Sequence, residues 1–218
     1  MTTAPQSPPV AVGDAAPDFL LPAVAGDATV SLDDYRGRSP LFLALMLGLW
    51  CPFCRRQLVQ LGTLEGKLKA LGVESLAVVA TEAANARLYF RYRPTRIQLA
   101  ADPGLTTHRA YRVPKPEPTP ELLEAMEATR INPTGALPEP LPIREAAMAL
   151  EKLDGYVCNP TDRADTERQW PQLKALFLIG RDGIVRWADI ECGREGLAGV
   201  GKFPTEETIL DAARACAA

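Results

Sequence analysis

An alternation of short apolar runs and amphipathic segments is the feature that most constrains the fold of this chain. The apolar run LFLALML occupies residues 41–47, as expected of a strand covered on both faces of its sheet. Residues 52–71 carry leucines three and four positions apart, which predicts a helix. Further strands are predicted at residues 73–81 and 97–102, and helices at 82–92 and 106–113. This β-α-β-α-β order predicts a parallel sheet with helices on its faces.

The segments on either side of this alternation complete the predicted architecture. Short extended pieces within residues 18–32 flank Gly26 and Asp27 and predict an N-terminal hairpin. A second hairpin is predicted over residues 175–190, around an Arg-Asp-Gly turn, and a last helix over residues 206–215. We expect residues 1–12 to form a flexible tail and residues 13–218 a single domain.

Residues 114–171 interrupt the alternation. They contain proline-rich stretches and two amphipathic patterns, at residues 121–130 and 143–153. Since neither pattern continues the strand and helix order, we interpret this segment as a helical insertion.

Composition argues against several classes of partner. Of the 218 residues, 47% are hydrophobic and 23% charged, and the net charge is −3, so no electrostatic attraction to nucleic acid or anionic membrane is expected. The longest apolar run, residues 40–50, is about half of the ~20 residues that a membrane helix needs. Residues 1–12 lack the charged and apolar regions of a signal peptide. We therefore expect a cytoplasmic protein without membrane contact.

The positions of the cysteines limit which kind of site the chain can form. Cys51 and Cys54 form a CxxC motif between the first predicted core strand and its helix, while the remaining cysteines are isolated: Cys158, Cys192 and Cys216. Because a structural zinc site usually needs a second close pair of ligands, no metal is expected. The motif then indicates a redox dithiol or, less in keeping with its place in a βαβ unit, two inert packed thiols.

The predicted helix start gives Cys51 the surroundings of a reactive thiol. Unpaired N–H groups at a helix N-terminus stabilise a thiolate, and Arg55 and Arg56 add positive charge nearby. Such surroundings lower a cysteine pKa from ~8.5 into the range ~3.5–7.5. Pro52 suits the first helical turn, and Cys54 lies one turn further along the same side, close enough for a disulfide.

Three stretches resemble the peroxiredoxin-like, AhpC/TSA branch of the thioredoxin-fold proteins. They are GDAAPDFLLPAVAG with VSLDDYRG in residues 13–37, WCPFCRRQL in residues 50–58 and FLIGRDGIVRW in residues 177–187. The resemblance covers roughly residues 13–112 and 172–215. It implies an α/β, thioredoxin-like fold with a central mixed sheet flanked by helices and an N-terminal hairpin extension. The insertion lies outside it.

The resemblance also implies roles for individual residues. Cys51 matches the attacking thiolate and Cys54 the resolving thiol, with Trp50, Pro52 and Arg55 as supporting residues. Lys174 aligns with an arginine that activates thiolate and peroxide in the related peroxidases, and also with the cis-proline of thioredoxin-type proteins. Pro171 matches that proline only if the loop is shorter than usual. Cys158, in the insertion, is a candidate additional thiol.

Two positions depart from the peroxidase pattern. Related peroxidases have Thr or Ser three residues before the attacking cysteine and Pro seven residues before it, where this sequence has Gly48 and Ala44. Because the N-terminal and C-terminal motifs are nonetheless peroxiredoxin-like, the activity implied first is antioxidant reduction of hydroperoxides through a Cys51–Cys54 dithiol and disulfide cycle. Reduction of protein disulfides, as by thioredoxin or glutaredoxin, is the alternative within the enzymes. A non-catalytic module that senses redox state or binds a partner is the alternative outside them.

The partners follow from the same resemblance. The oxidising substrate is a hydroperoxide or a disulfide, and the reductant is an external thiol of the thioredoxin, glutaredoxin or glutathione type. No cofactor is expected. Because peroxiredoxin-like proteins often dimerise, a homodimer is compatible with the resemblance.

Overall fold

The computed structural model of the protein describes residues 8–217. Its first elements are the antiparallel strands β1 (Leu20–Pro22) and β2 (Thr29–Ser31), joined by a turn through Gly26, whose φ of 74° suits glycine. A short 3-10 turn, Leu32–Asp34, follows. The predicted N-terminal hairpin is thus present.

The next elements confirm the predicted alternation of strands and helices. They are β3 (Leu41–Met46), α1 (Pro52–Ala70), β4 (Glu74–Val79), α2 (Ala83–Tyr92), β5 (Gln98–Ala101) and α3 (Thr106–Ala110). All six residues of β3 are buried, in keeping with their continuous apolar run. Helix α1 buries Leu58, Leu61, Leu64 and Leu68 against the sheet at the spacing that predicted the helix.

The insertion contains more ordered structure than its sequence suggested. The two predicted helices are α4 (Pro120–Ala128) and α5 (Ile143–Asp154). Between them lies a small antiparallel pair, β6 (Arg130–Ile131) and β7 (Leu141–Pro142), and after them a third helix, α6 (Pro160–Gln169). Helix α6 was not predicted because its sequence, PTDRADTERQ, has no apolar stripe. Polar side chains, including Asp162 and Gln169, are instead its buried residues.

The chain returns to the sheet through β8 (Ala175–Ile179) and β9 (Val185–Ile190) and ends in α7 (Glu206–Ala217), after a 3-10 turn at Gly196–Gly199. The sheet order is β5-β4-β3-β8-β9. Strands β3, β4 and β5 are parallel, and β8 and β9 are antiparallel to their neighbours. The predicted central mixed sheet flanked by helices is therefore confirmed.

Two features of the fold bear on the site. Leu45 of β3 pairs with Ala175 of β8, which brings the residue before β8, Lys174, beside the end of the central strand. Within the predicted N-terminal tail, residues 1–7 lie outside the described residues, but Val10 is buried and its N–H bonds to the carbonyl of Tyr111 at 3.1 Å. No helix within residues 8–217 is long and apolar enough to cross a membrane.

Candidate active site

Cys51 lies at the junction between the central strand and the first long helix. It is the N-cap residue of α1, and its Sγ accepts a hydrogen bond from the backbone N–H of Cys54 at 3.3 Å. The sulfur thus takes the place of the oxygen that usually caps a helix. Pro52 occupies the first helical turn, where a missing N–H costs little. The positive end of the helix dipole therefore faces the thiol.

The two thiols differ in acidity. Both are free, and Cys51 is 4% exposed whereas Cys54 is 0% exposed. Burial raises the pKa of Cys51, but hydrogen bonds from Cys54 and the charge of Lys174 outweigh burial and hold this pKa below its usual value. Burial, together with the hydrogen bond and charge of Cys51, raises the pKa of Cys54 well above its usual value. Cys51 is consequently the thiol that ionises first.

Lys174 supplies the positive charge beside the dithiol. Its Nζ is buried, 2.9 Å from Glu191 Oε1 and 2.9 Å from Gln57 Oε1. Burial lowers the pKa of Lys174, but the nearby Glu191 carboxylate and the two thiols outweigh burial and raise this pKa above its usual value. Lys174 therefore stays charged and acts as a fixed cation rather than as a proton donor.

Glu191 and Gln57 are site residues that the sequence reasoning missed. Glu191 also accepts hydrogen bonds from the backbone N–H groups of Lys174 (3.1 Å) and Gly201 (2.8 Å). Gln57 donates to the carbonyl oxygen of Gly201 at 2.8 Å. The ammonium is thus held in place by partners that are themselves hydrogen-bonded. The signal available in the sequence was the predicted hairpin, which sets the start of β8 opposite the end of β9.

Gln169, also missed, holds the loop that leads to Cys51. Its Oε1 accepts from the backbone N–H of Gly48 and from the indole N–H of Trp50, both at 2.8 Å, and its Nε2 donates to the carbonyl oxygen of Ala80. Gln169 is 0% exposed, so these groups satisfy one another away from water. No periodic pattern marks this residue, because it is a polar residue at the end of a polar helix.

Gly48 has no room for a side chain. A Cβ atom there would lie 2.9 Å from Trp50 Cδ1, 3.1 Å from Gln169 Oε1 and 3.2 Å from the carbonyl oxygen of Ala80. The place that Thr or Ser takes in the peroxidases this chain resembles is therefore filled here by the Gln169 amide.

Arg55 stabilises the same loop from the other side. Its Nη1 donates to the carbonyl oxygen of Leu49 at 2.7 Å, and its Nη2 lies 3.2 Å from Asp154 Oδ2 at the end of α5. The guanidinium also stacks 4.0 Å from the ring centre of Tyr156. Arg56 pairs with Asp154 Oδ1 at 2.7 Å. These contacts direct both predicted cations toward the insertion, and the charge that acts on Cys51 is that of Lys174.

A cavity of about 500 Å³ opens beside Cys51. One wall consists of insertion residues, mainly apolar: Leu122, Leu123, Met126, Ile143 and Ala147. The other side is formed by Trp50, Cys51, Lys174 and the pair Trp170 and Pro171, whose peptide bond is cis. The cis-proline is thus Pro171, three residues before Lys174, the position at which the family resemblance expected it. A cavity of this size accommodates a small organic molecule.

The other predicted thiol lies elsewhere. Cys158 is located between α5 and α6, does not line the cavity, and donates to Glu151 Oε1 at 3.4 Å. Burial and this carboxylate raise the pKa of Cys158 to about 11, which makes it a poor nucleophile. Within residues 8–217, no group of three or more His, Cys, Asp or Glu side chains is arranged to hold a metal ion.

Known structures share this architecture. A reduced 2-Cys peroxiredoxin from Plasmodium vivax superposes with a TM-score of 0.59 at 15% identity, over 93% of this chain and 81% of the other. The peroxidoxin BcpB from Mycobacterium tuberculosis gives 0.58 at 14% identity, over 94% and 97%. A protein assigned as the thiol:disulfide interchange protein DsbE, from Chlorobium tepidum, gives 0.53 at 22% identity, over 94% and 99%. Among curated proteins, no sequence matches the chain.

The chain thus has a thioredoxin-like fold, with a CxxC pair at the start of the helix that follows the central strand. The AhpC/TSA family matches residues 12–188, and the chain belongs to that family. The predicted fold and the predicted family are therefore confirmed. The protein is a thiol oxidoreductase, of the peroxidase or of the thiol–disulfide exchange type.

Proposed function

We propose that the protein is a thiol-dependent peroxidase that reduces hydroperoxides through Cys51 and Cys54. The observation that carries the proposal is the unequal dithiol at the start of α1. Cys51 Sγ accepts a hydrogen bond from the N–H of Cys54, and its pKa is lowered, whereas the pKa of Cys54 is raised. This asymmetry supports Cys51 as the attacking thiolate and Cys54 as the resolving thiol.

The reaction has two balanced steps. The Cys51 thiolate attacks one peroxide oxygen, the O–O bond breaks, and the alkoxide or hydroxide leaves and takes a proton from solvent. Cys51 is then a sulfenic acid. Cys54 attacks its sulfur, the S–S bond forms, and the hydroxyl group leaves as water with the proton of Cys54. Lys174, which stays charged, stabilises the thiolate in the first step without transferring a proton.

The recessed position of the Cys51 sulfur favours a small oxidant over a large one. With 4% of Cys51 exposed and Cys54 fully buried, a peroxide oxygen reaches Sγ through the cavity more readily than the disulfide of a folded protein does. The buried cationic Lys174 retains the charge of the arginine that the related peroxidases use, without its forked donor geometry.

The second candidate is reduction of disulfides. Gly48 offers no hydroxyl group to hold a peroxide, and the wall that the insertion contributes to the cavity is largely apolar. These features favour a disulfide-bearing substrate whose apolar part occupies the cavity. We propose the cytoplasm as the compartment in either case, because its reducing conditions keep a CxxC dithiol in the active form.

Stopped-flow oxidation of the reduced protein separates the two candidates. We expect hydrogen peroxide or an alkyl hydroperoxide to remove two of the five thiols with one equivalent of oxidant. Cys51→Ser abolishes this reaction, and Cys54→Ser loses one thiol, stops at the sulfenic acid with one equivalent and forms sulfinic acid only with a second equivalent of peroxide. Cys216→Ser, outside the site, serves as the matched control. Slow oxidation by peroxides together with fast exchange with small disulfides would replace the first candidate by the second.

A cellular test addresses the non-catalytic alternative. Cells that depend on the protein are complemented with wild type, Cys51→Ser or Cys216→Ser. We expect Cys51→Ser to fail and Cys216→Ser to succeed. Full complementation by Cys51→Ser would instead favour a binding module without turnover.

A further inference from the structure

The cavity also limits which reductant can regenerate the dithiol. Of the two sulfurs that would form the disulfide, only Cys51 borders the cavity, and Cys54 is fully buried behind it. A thiol that reduces the Cys51–Cys54 disulfide must therefore approach Cys51 through the cavity. Helices α4 and α5 of the insertion form the opposite wall, which restricts the approach of a folded protein.

The size of the cavity suits a small molecule. Its volume of about 500 Å³ lies within the range of about 300–1,000 Å³ that is typical of small-molecule sites. The cysteine of a protein reductant projects only a few ångströms from its own surface. A free thiol of a few hundred daltons enters such a cavity whole.

Two charges on the insertion wall indicate what kind of small thiol fits. Glu127 of α4 and Arg144 of α5 both line the cavity and are both exposed. Within residues 8–217, neither side chain forms an ion pair or a side-chain hydrogen bond. The other two charged residues that line the cavity, Lys174 and Glu191, form an ion pair with each other. A positive and a negative group on one wall complement a zwitterion that carries both carboxylate and ammonium.

We propose that the reductant is a zwitterionic, peptide-like thiol of low molecular weight that binds in this cavity. Its carboxylate contacts Arg144 and its ammonium contacts Glu127. This inference rests on the dithiol cycle proposed above and names the partner of the same site. It assigns a binding role to the cavity wall that α4 and α5 of the insertion form.

The exchange balances with two molecules of the thiol. The first, as thiolate, attacks Cys51 Sγ, the Cys51–Cys54 bond breaks, and Cys54 leaves and takes up a proton. The second attacks the small-molecule sulfur of the mixed disulfide and releases Cys51 as thiolate. One protein disulfide is reduced, and two small thiols are oxidised to one small disulfide.

Reduction kinetics test the proposal. The full-length protein is oxidised with diamide, so the measurement does not depend on peroxidase activity, and thiol counting confirms that two thiols are lost. Its reduction is followed with reduced glutathione, with 2-mercaptoethanol and with a reduced thioredoxin. We expect the rate to saturate with glutathione, to rise linearly with 2-mercaptoethanol, and to be no faster with thioredoxin than with glutathione at equal concentration.

Variants of the cavity wall complete the test. Arg144→Gln is expected to raise the half-saturating glutathione concentration about fivefold, as for an exposed charge contact, with an unchanged maximal rate. Arg91→Gln, which removes an exposed charge outside the cavity, is the matched control and leaves it unchanged. A rate linear in glutathione, an unaltered Arg144→Gln variant or faster reduction by thioredoxin would each overturn the proposal. If diamide forms no Cys51–Cys54 disulfide, the dithiol cycle itself fails, which is a distinguishable result.

Discussion

Gln169 accepts a hydrogen bond from the backbone N–H of Gly48 at 2.8 Å and so joins the last helix of the insertion to the loop before Cys51. The two residues lie 121 positions apart in the chain. Through this contact the insertion becomes part of the support of the active site. The insertion also forms one wall of the cavity, so it both shapes and stabilises the site.

Gln169→Met keeps most of the volume of the side chain and removes its hydrogen bonds. The N–H of Gly48 and the carbonyl of Ala80 are then buried without partners, at a cost of about 1–3 kcal/mol each. We expect the free energy of unfolding, measured by urea denaturation, to fall by about 2–6 kcal/mol for the two groups together. Gln60→Met, at an exposed position of α1, is the control and should stay within about 0.5 kcal/mol of wild type. Equal stability of the two variants would contradict this role of Gln169.

Lys174→Met tests the electrostatic contribution to the reactive thiol. Without the ammonium, the pKa of Cys51 should rise, since an opposite charge nearby favours the ionised form. The pH dependence of alkylation by iodoacetamide measures this change. An unchanged alkylation profile would show that the helix start alone sets the pKa.

Lys174→Met also leaves Glu191 buried without its cation, which costs about 3–5 kcal/mol. Adding Glu191→Gln to Lys174→Met is expected to recover much of this stability while the pKa of Cys51 remains raised. The double variant thus separates the effect on the thiol from the effect on folding.

Gly48→Thr is expected not to create the hydroxyl contact found in related peroxidases. Its Cβ meets Trp50, Gln169 and the carbonyl of Ala80 at 2.9–3.2 Å, so the variant should lose about 1–3 kcal/mol of stability. Gln169→Ala frees space beside Gly48. The double variant should therefore lose less stability than the sum of the losses of the two single variants. Strict additivity in urea denaturation would show that the two side chains do not compete for that space.

The burial of His108 predicts that the protein loses stability in acid. It is the single histidine, it is 0% exposed, and burial lowers its pKa from 6.5 to about 4 in the folded state. As pH falls below 6.5, the unfolded chain gains a proton that the folded chain does not bind until about pH 4. The contribution of neutral His108 to the free energy of unfolding is therefore fully present above pH 6.5, and it falls by about 3 kcal/mol between pH 6.5 and about pH 4.

His108→Leu removes this titration and keeps a buried side chain of similar size. Urea denaturation of wild type and variant at pH 7 and pH 4.5 should show a smaller acid loss in the variant. Equal losses in the two proteins would place the acid sensitivity in other groups.

Local patterns predicted the elements that carry the dithiol. A short apolar run directly before a helical pattern is typical of a buried strand, and leucines at helical spacing face that strand's sheet, so β3, α1 and the position of Cys51 between them follow from local patterns. The CxxC spacing placed Cys54 one turn from Cys51 for the same reason. The family resemblance added that the central sheet is mixed and flanked by helices.

The partners of the dithiol depend on contacts between distant parts of the chain. Lys174 lies opposite Glu191 because a register shift between Leu178 and Ile179 moves the pairing of β8 and β9 by one residue. Without that shift, counting the residue pairs of β8 and β9 back from the turn would place Lys174 opposite a residue whose side chain points to the other face of the sheet. The polar helix α6 shows no pattern that marks Gln169, since its buried side chains are satisfied by groups elsewhere in the fold.

The amino-acid sequence by itself therefore determined the CxxC pair, its place at a helix start and the alternation of strands and helices around it, because each depends on periodicity and spacing within a few turns. Only the tertiary structure decided which charge acts on Cys51, what occupies the space beside Gly48 and what encloses the cavity. Those three features arise where β8, α6 and the insertion helices meet the start of α1, and packing between such distant segments leaves no periodic trace in the sequence.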